Sequence, residues 1–208
     1  RRQRQMCIRD RSERIEALGL KFGLWFEPEM VNKDSDLYRA HPDWILQTPG
    51  RSTSHGRYQY VLDFSRKEVV DHIYGMMAKL LSESKISYIK WDMNRSITEC
   101  YSSKLPSDRQ GEVFHRYILG VYALYERLTN EFPEVLFESC ASGGGRFDPG
   151  MLYYAPQGWT SDDSDAIERL KIQYGTSMCY PLSSMGSHVS VVPNHQVFRN
   201  TPLHTRAN

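Results

Sequence analysis

Short apolar runs that stop abruptly at polar or acidic residues, with stretches of helical spacing between several of them, constrain this chain more than any other feature. "LKFGLWF" (20–26) breaks at "EPEM", and "YQYVLDF" (58–64), "ISYIKWD" (86–92), "VLFESC" (135–140) and "GWTSD" (158–162) end in the same way. A last short strand is expected near 183–191. Between them, Val69, Val70, Ile73, Met76, Met77, Leu80 and Leu81 recur at helical intervals, as do Phe114, Ile118, Val121, Tyr125 and Leu128 within 111–130. A further helix is expected over 166–175. Ser12 is expected to cap a short first helix that Gly19 ends. Ser65 and Glu68 have the spacing of a capping box. The stretch from Asn32 to Arg57, with Pro42, Pro49 and Gly50, reads as a long loop.

Strand alternating with helix predicts a parallel α/β domain. Two layouts compete, an open doubly wound sheet and a (β/α)8 barrel. The polar strand ends favour the barrel: Trp25 and Glu27, Asp63, Asp92 and Asn94, Cys140 and Ser142, Asp162 and Asp163. In a barrel these ends ring one pocket; in an open sheet only the switch point gathers ligand groups. At most six strands are visible, so the expected fold is an incomplete (β/α)8 barrel holding about strands 2 to 7. The first eleven residues, "RRQRQMCIRDR", are basic and aperiodic, and "MCIRDR" resembles the translated end of a sequencing adapter. Residues 1–11 are therefore expected to be a non-native segment and 12–208 a partial catalytic barrel from a longer protein.

The 208 residues carry a net charge of +1, which offers no electrostatic case for nucleic acid or an anionic membrane. No apolar run approaches the roughly 20 residues that span a bilayer. Cys7, Cys100, Cys140 and Cys179 are widely spaced without a CxxC pair, which argues against a zinc site and a disulfide scaffold. The expectation is a cytoplasmic, bacterial protein with reduced thiols. Aromatic residues make up 12%, a share that suits stacking on carbohydrate as well as core packing.

Two acidic motifs carry the chemistry. In "YIKWDMNRS" Lys90, Asp92 and Asn94 alternate onto one face of a strand. An ammonium beside Asp92 would favour the ionised carboxylate that a nucleophile requires; the same spacing also suits a structural ion pair at a barrel rim. In "SDDSDA" one or two of Asp162, Asp163 and Asp165 are expected to serve only as helix caps. By strand count Asp92 and Asp162 are two strands apart, and alternate barrel strands supply one layer of side chains. Two facing carboxylates are what glycoside hydrolysis uses, with Asp92 raising the pKa of Asp162 so that it can donate a proton. "SCASGGGRFDPG" lacks the phosphate-loop signatures and reads either as a flexible turn or as backbone brought close to a ligand. Trp25, Trp91 and Trp159 stand at strand ends, with Trp25 the best placed to pack on a sugar face. His188 and His195 are too loosely spaced to argue for a metal, and Arg57 could fork onto hydroxyls or sit in solvent.

"LWFEPEMV", "HPDWIL", "YVLDFSR", "KWDMNR", "ESCASGGGRFD", "GWTSDDSDAIERLKIQYG", "MGSHVS" and "TPLHTRAN" resemble the alpha-galactosidases of glycoside hydrolase family 36, from about residue 12 to 208. The resemblance implies a retaining hydrolase of terminal alpha-galactosides such as melibiose and raffinose, built on a (β/α)8 barrel between two β-domains. It implies Asp92 as nucleophile and Asp162 as acid/base, with Trp25, Arg57, Lys90, Asn94, Cys140, Ser142 and Gly143 touching galactose. It implies no metal or organic cofactor, and a homo-oligomeric parent, often a tetramer. The family's first-strand Asp-Asp-Gly-Trp motif is not found here, and many relatives have "CSGGGG" where this chain has "CASGGG". The chain on its own is therefore expected to be inactive or barely active. A raffinose-synthase-like galactosyltransferase, a non-catalytic carbohydrate-binding remnant and a metal-dependent barrel hydrolase are the rival readings.

Overall fold

The computed structural model describes residues 2–207. In chain order the elements are α1 (Arg2–Ala17), β1 (Gly23–Phe26), β2 (Met30–Asn32), α2 (Asp36–Ala40), β3 (Gln59–Val61), α3 (Lys67–Glu83), β4 (Tyr88–Asp92), α4 (Val113–Glu131), β5 (Leu136–Cys140), α5 (Pro149–Tyr154), β6 (Gln157–Trp159), α6 (Ala166–Ser177), β7 (Met185–Gly186) and α7 (Leu203–Arg206). They fall into two compact units. The first takes in the chain up to Ile89 together with Met93–Leu136; the second takes in Lys90–Asp92 and the chain from Phe137 onward.

In the first unit, the helix that Ser12 was expected to cap begins ten residues earlier. Arg, Gln and Met are strong helix formers, so the aperiodic "RQRQM" from Arg2 propagates the helix without an apolar stripe. Ser12 lies inside α1, where its hydroxyl donates to the Arg9 carbonyl and accepts the Lys85 N–H. Gly19 (φ 76°) ends the helix as expected. The strand read over 20–26 shortens to β1, which is half exposed and not buried. The strand read over 58–64 leaves the main sheet altogether: β3 pairs antiparallel with β2, Met30 opposite Val61 and Asn32 opposite Gln59. The stretch between them, read as loop, holds α2, capped by the Ser35 hydroxyl.

The Ser65–Glu68 capping box does not form. Arg66 is buried and draws Glu68 onto its Nε (3.0 Å) and Asp43 onto its NH1 (2.9 Å), while Ser65 gives its hydroxyl to buried Asp63. A desolvated cation and a desolvated carboxylate each demand partners more strongly than a helix end does. α3 then buries Val69, Val70, Ile73, Met77 and Leu81, and α4 buries Val113, Tyr117, Val121, Leu124, Tyr125 and Leu128. At about 1.5–3 kcal/mol per buried apolar side chain, this helix pair supplies much of the unit's stabilisation.

In the second unit, the end of β4 is followed across the sheet by β5, β6 and β7. β5, β6 and β7 run parallel, with Glu138 opposite Gln157 and Gly158 opposite Met185. The α/β character and the parallel sheet match the expectation. α5, of which only Pro149 and Gly150 fall in the stretch read as a glycine-rich turn, is started by Pro149 at its first position and by Asp148, whose side chain accepts the Met151 N–H. Asp165 caps α6 and pairs with Arg199 (2.7 Å). Trp91, Phe137, Met151 and Ala155 are fully buried here.

Candidate active site

The second unit assembles one cluster around the ends of β4, β5 and β6. Asp92 closes β4 and is buried; Cys140 closes β5 and is buried beside it, its thiol donating to the Asp92 carboxylate. Burial, with the neighbouring carboxylate adding to it, pushes the Cys140 thiol up to about 12. The thiol therefore remains a donor through the neutral range.

After Cys140 the chain turns through Ser142 (φ 48°) and Gly143 (φ 84°), both left-handed. A Cβ on Gly143 would lie 2.8 Å from the Asp162 nitrogen, and one on Gly144 2.5 Å from the Thr160 carbonyl oxygen. Only glycine lets this loop press against the backbone that carries Asp162. The loop thus runs from the thiol on Asp92 to the main chain of Asp162, which is what brings the two acidic motifs into one cluster. Asp165 and Asp163 divide the capping work as expected: Asp165 caps α6, and Asp163 Oδ1 accepts the Asp165 N–H. Asp162 is exposed.

Lys90 Nζ lies 3.0 Å from Glu138 Oε1 and 4.2 Å from the centroid of Trp159. Glu138 belongs to β5 and is buried, and burial pushes its carboxyl up to about 7 despite the ammonium. Sequence reasoning did not single out Glu138. Its signal was the lone charge inside the otherwise apolar and small "VLFESC", since a buried carboxylate is rare without a partner. Arg169 was missed as well. From α6 it donates to the carbonyls of Ser161 (2.7 Å) and Asp163 (3.4 Å), on either side of Asp162, and to Gly186 (3.2 Å). Its guanidinium stands over Trp159 at 5.0 Å. Burial among carbonyls lowers its pKa. His188 tilts on Trp159 at 5.1 Å, and burial with the nearby cations lowers its pKa. Among the described residues no group of three or more His, Cys, Asp or Glu is placed to hold a metal ion, and no helix is long and apolar enough to cross a membrane.

The first unit assembles a second cluster. Glu27 Oε1 accepts from Arg57 NH1 (2.9 Å) and from Asn94 Nδ2 (2.7 Å), and the Arg57 guanidinium stands 5.9 Å from the Trp25 ring, which is 48% exposed. Trp25, Arg57 and Asn94, named separately from sequence, are gathered by this one carboxylate. Glu27 orders the group, which fits its place one strand-end past Trp25.

Residues 2–208 match the profile of one family, Melibiase. The chain belongs to the melibiase family. Alpha-galactosidase AgaA of Geobacillus stearothermophilus is 58% identical to this chain over 195 residues, which are 94% of the chain and 27% of the relative. Its crystal structure superimposes with a TM-score of 0.93 at 57% identity, over 96% of this chain and 28% of that one. The alpha-galactosidase of Lactobacillus brevis superimposes at 0.92 with 60% identity, over 94% of this chain and 26% of that one. The chain thus spans about a quarter of the length of the relatives it matches. Solved complexes of AgaA include one with raffinose and one with stachyose, each with a different aspartate replaced.

Proposed function

We propose that this chain is part of a retaining alpha-galactosidase, with Asp92 as nucleophile and Asp162 as acid/base. The observation that carries the reading is the loop from Cys140 to Gly144, which ties the thiol on Asp92 to the backbone of Asp162. The AgaA complexes support it: the two aspartates replaced there are separated along that chain by the same interval as Asp92 and Asp162 here. In the first step Asp92 attacks the anomeric carbon as Asp162 gives its proton to the departing oxygen, leaving a galactosyl ester on Asp92. In the second, Asp162 takes a proton from water, whose oxygen displaces Asp92 and releases galactose with retention. Lys90, Cys140, Ser142 and Gly143 border the two acids, and Trp25, Arg57 and Asn94 would hold the galactosyl hydroxyls and ring face. The strands are read as part of a (β/α)8 barrel, the layout in which strand ends ring a single pocket.

The test is hydrolysis of a nitrophenyl alpha-galactoside by the chain alone and by AgaA carrying this chain in place of its own matching stretch. The chain alone is expected to turn over slowly or not at all and the graft to be active. Asp92→Asn in the graft should lower kcat by at least a thousandfold, with azide restoring part of the rate. An Asp92→Asn graft of undiminished rate would remove the assigned roles.

A further inference from the structure

An unusual turn leads the chain into β3 in the first unit. Gly56 and Gln59 exchange both backbone hydrogen bonds (3.3 and 2.9 Å) around Arg57 (φ 54°) and Tyr58 (φ 60°). Two left-handed residues between such a pair make a type I′ turn, whose ordinary occupants are Asn-Gly, Asp-Gly or Gly-Gly. A bulky residue there is strained, and strain of this kind is kept where a side chain is needed in that place. Arg57 has a visible reason, its ion pair with Glu27. Tyr58 has none from packing, because its side chain is 79% exposed. A glycine would relieve the strain and lose almost no buried surface.

What Tyr58 does have is a neighbouring ring and a cavity. Its ring lies nearly parallel to that of His55, at 17° with centroids 5.9 Å apart, and His55 in turn meets Tyr60 edge-on at 6.2 Å. These rings form one wall of a cavity of about 450 Å³, within the range of small-ligand sites. Asn32, the last residue of β2, and Lys33 and Asp34 after it also line the cavity. Asn32 Oδ1 already accepts the Asp34 N–H (2.7 Å), which leaves its amide donors, the Asp34 carboxylate and the Lys33 ammonium as the polar lining. A lining that combines aromatic rings with a mixed set of donors and acceptors matches a hexose, which has apolar ring faces and a belt of hydroxyls. Arg57 belongs both to this cavity and to the Trp25–Glu27–Asn94 cluster.

We propose that this cavity is a saccharide subsite, with Tyr58 and His55 as its platform, that takes a second hexose ring beyond the galactosyl group. The part about a second ring rests on the galactosidase reading; the saccharide site itself does not. The experiment is saturation-transfer NMR on the full chain with sucrose, which is the non-galactosyl part of raffinose, against glycerol at matched concentration. Sucrose should show transfer and glycerol none. Tyr58→Gly should abolish the sucrose signal while its thermal midpoint equals or exceeds that of the parent chain, and Tyr58→Phe should keep both. Asp92→Asn should leave sucrose binding intact, so failure of the catalytic reading and failure of this one are told apart. No sucrose transfer in the parent chain, or undiminished transfer in Tyr58→Gly, overturns the proposal; so does a clear loss of thermal stability in Tyr58→Gly, which would make the ring a packing element.

Discussion

Glu138 is the residue whose chemistry was hardest to see in advance and whose consequence is simplest to measure. Its carboxyl is buried and held up to about 7 from an ordinary 4.5. A raised carboxyl means that between those values the folded chain binds a proton the unfolded chain has already lost. Its contribution to stability is therefore complete below pH 4.5, declines as pH rises, and is gone above about 7. The gap corresponds to roughly 3 kcal/mol at most, part of it offset by the Lys90 ammonium 3.0 Å away. The lowered pKa of His188 acts in the opposite sense, since below 6.5 the unfolded chain takes up a proton that the folded chain resists. Denaturant midpoints measured from pH 5 to 8 separate the two. Glu138→Gln, which copies the protonated form, should remove the declining component and leave a curve that rises slightly toward pH 6.5. A Glu138→Gln curve that still falls as steeply as the parent's would place the titration elsewhere.

At the scale of elements, one helix position reverses an ordinary rule. Glycine inside a helix is normally improved by alanine by about 1 kcal/mol. Gly120 in α4 is an exception, because a Cβ there would stand 1.9 Å from the Phe64 carbonyl oxygen, a backbone atom that cannot swing aside. Gly120→Ala should therefore destabilise the chain by about 2–4 kcal/mol, read as a lower urea midpoint, whereas Gly75→Ala in α3, where nothing lies within 4 Å, should be neutral or stabilising. Nothing in "YILGVYAL" marks Gly120 as a contact point, since helical spacing reports which face is buried and not how closely another backbone approaches. The same limit runs through the fold. The long periodic helices over 67–83 and 113–131 were legible because five or six buried positions repeat at one period. β3 was legible as a strand but not as part of a separate antiparallel pair, because three residues carry too little pattern to name a partner. The acidic motifs stood out in the sequence because carboxylates at the ends of apolar runs have few structural uses. Glu138 and Arg169 beside them did not, because each makes a decisive contact with a residue on another element.

At the scale of the whole molecule, the chain organises its chemistry within each unit: acids and thiol in the second, Trp25, Arg57 and Asn94 in the first. One buried atom reports on the integrity of the second unit. Cys7, Cys100 and Cys179 are exposed, and Cys140 is buried with its thiol against Asp92. A colorimetric thiol reagent at pH 8 should then consume three sulfhydryls quickly and the fourth on a far slower clock, set by how often β5 opens and not by reagent concentration. Four rapid equivalents in buffer would show that this part of the fold is loose; a silent fourth that wakes only in denaturant turns Cys140 into a native timer, readable with no substrate at all.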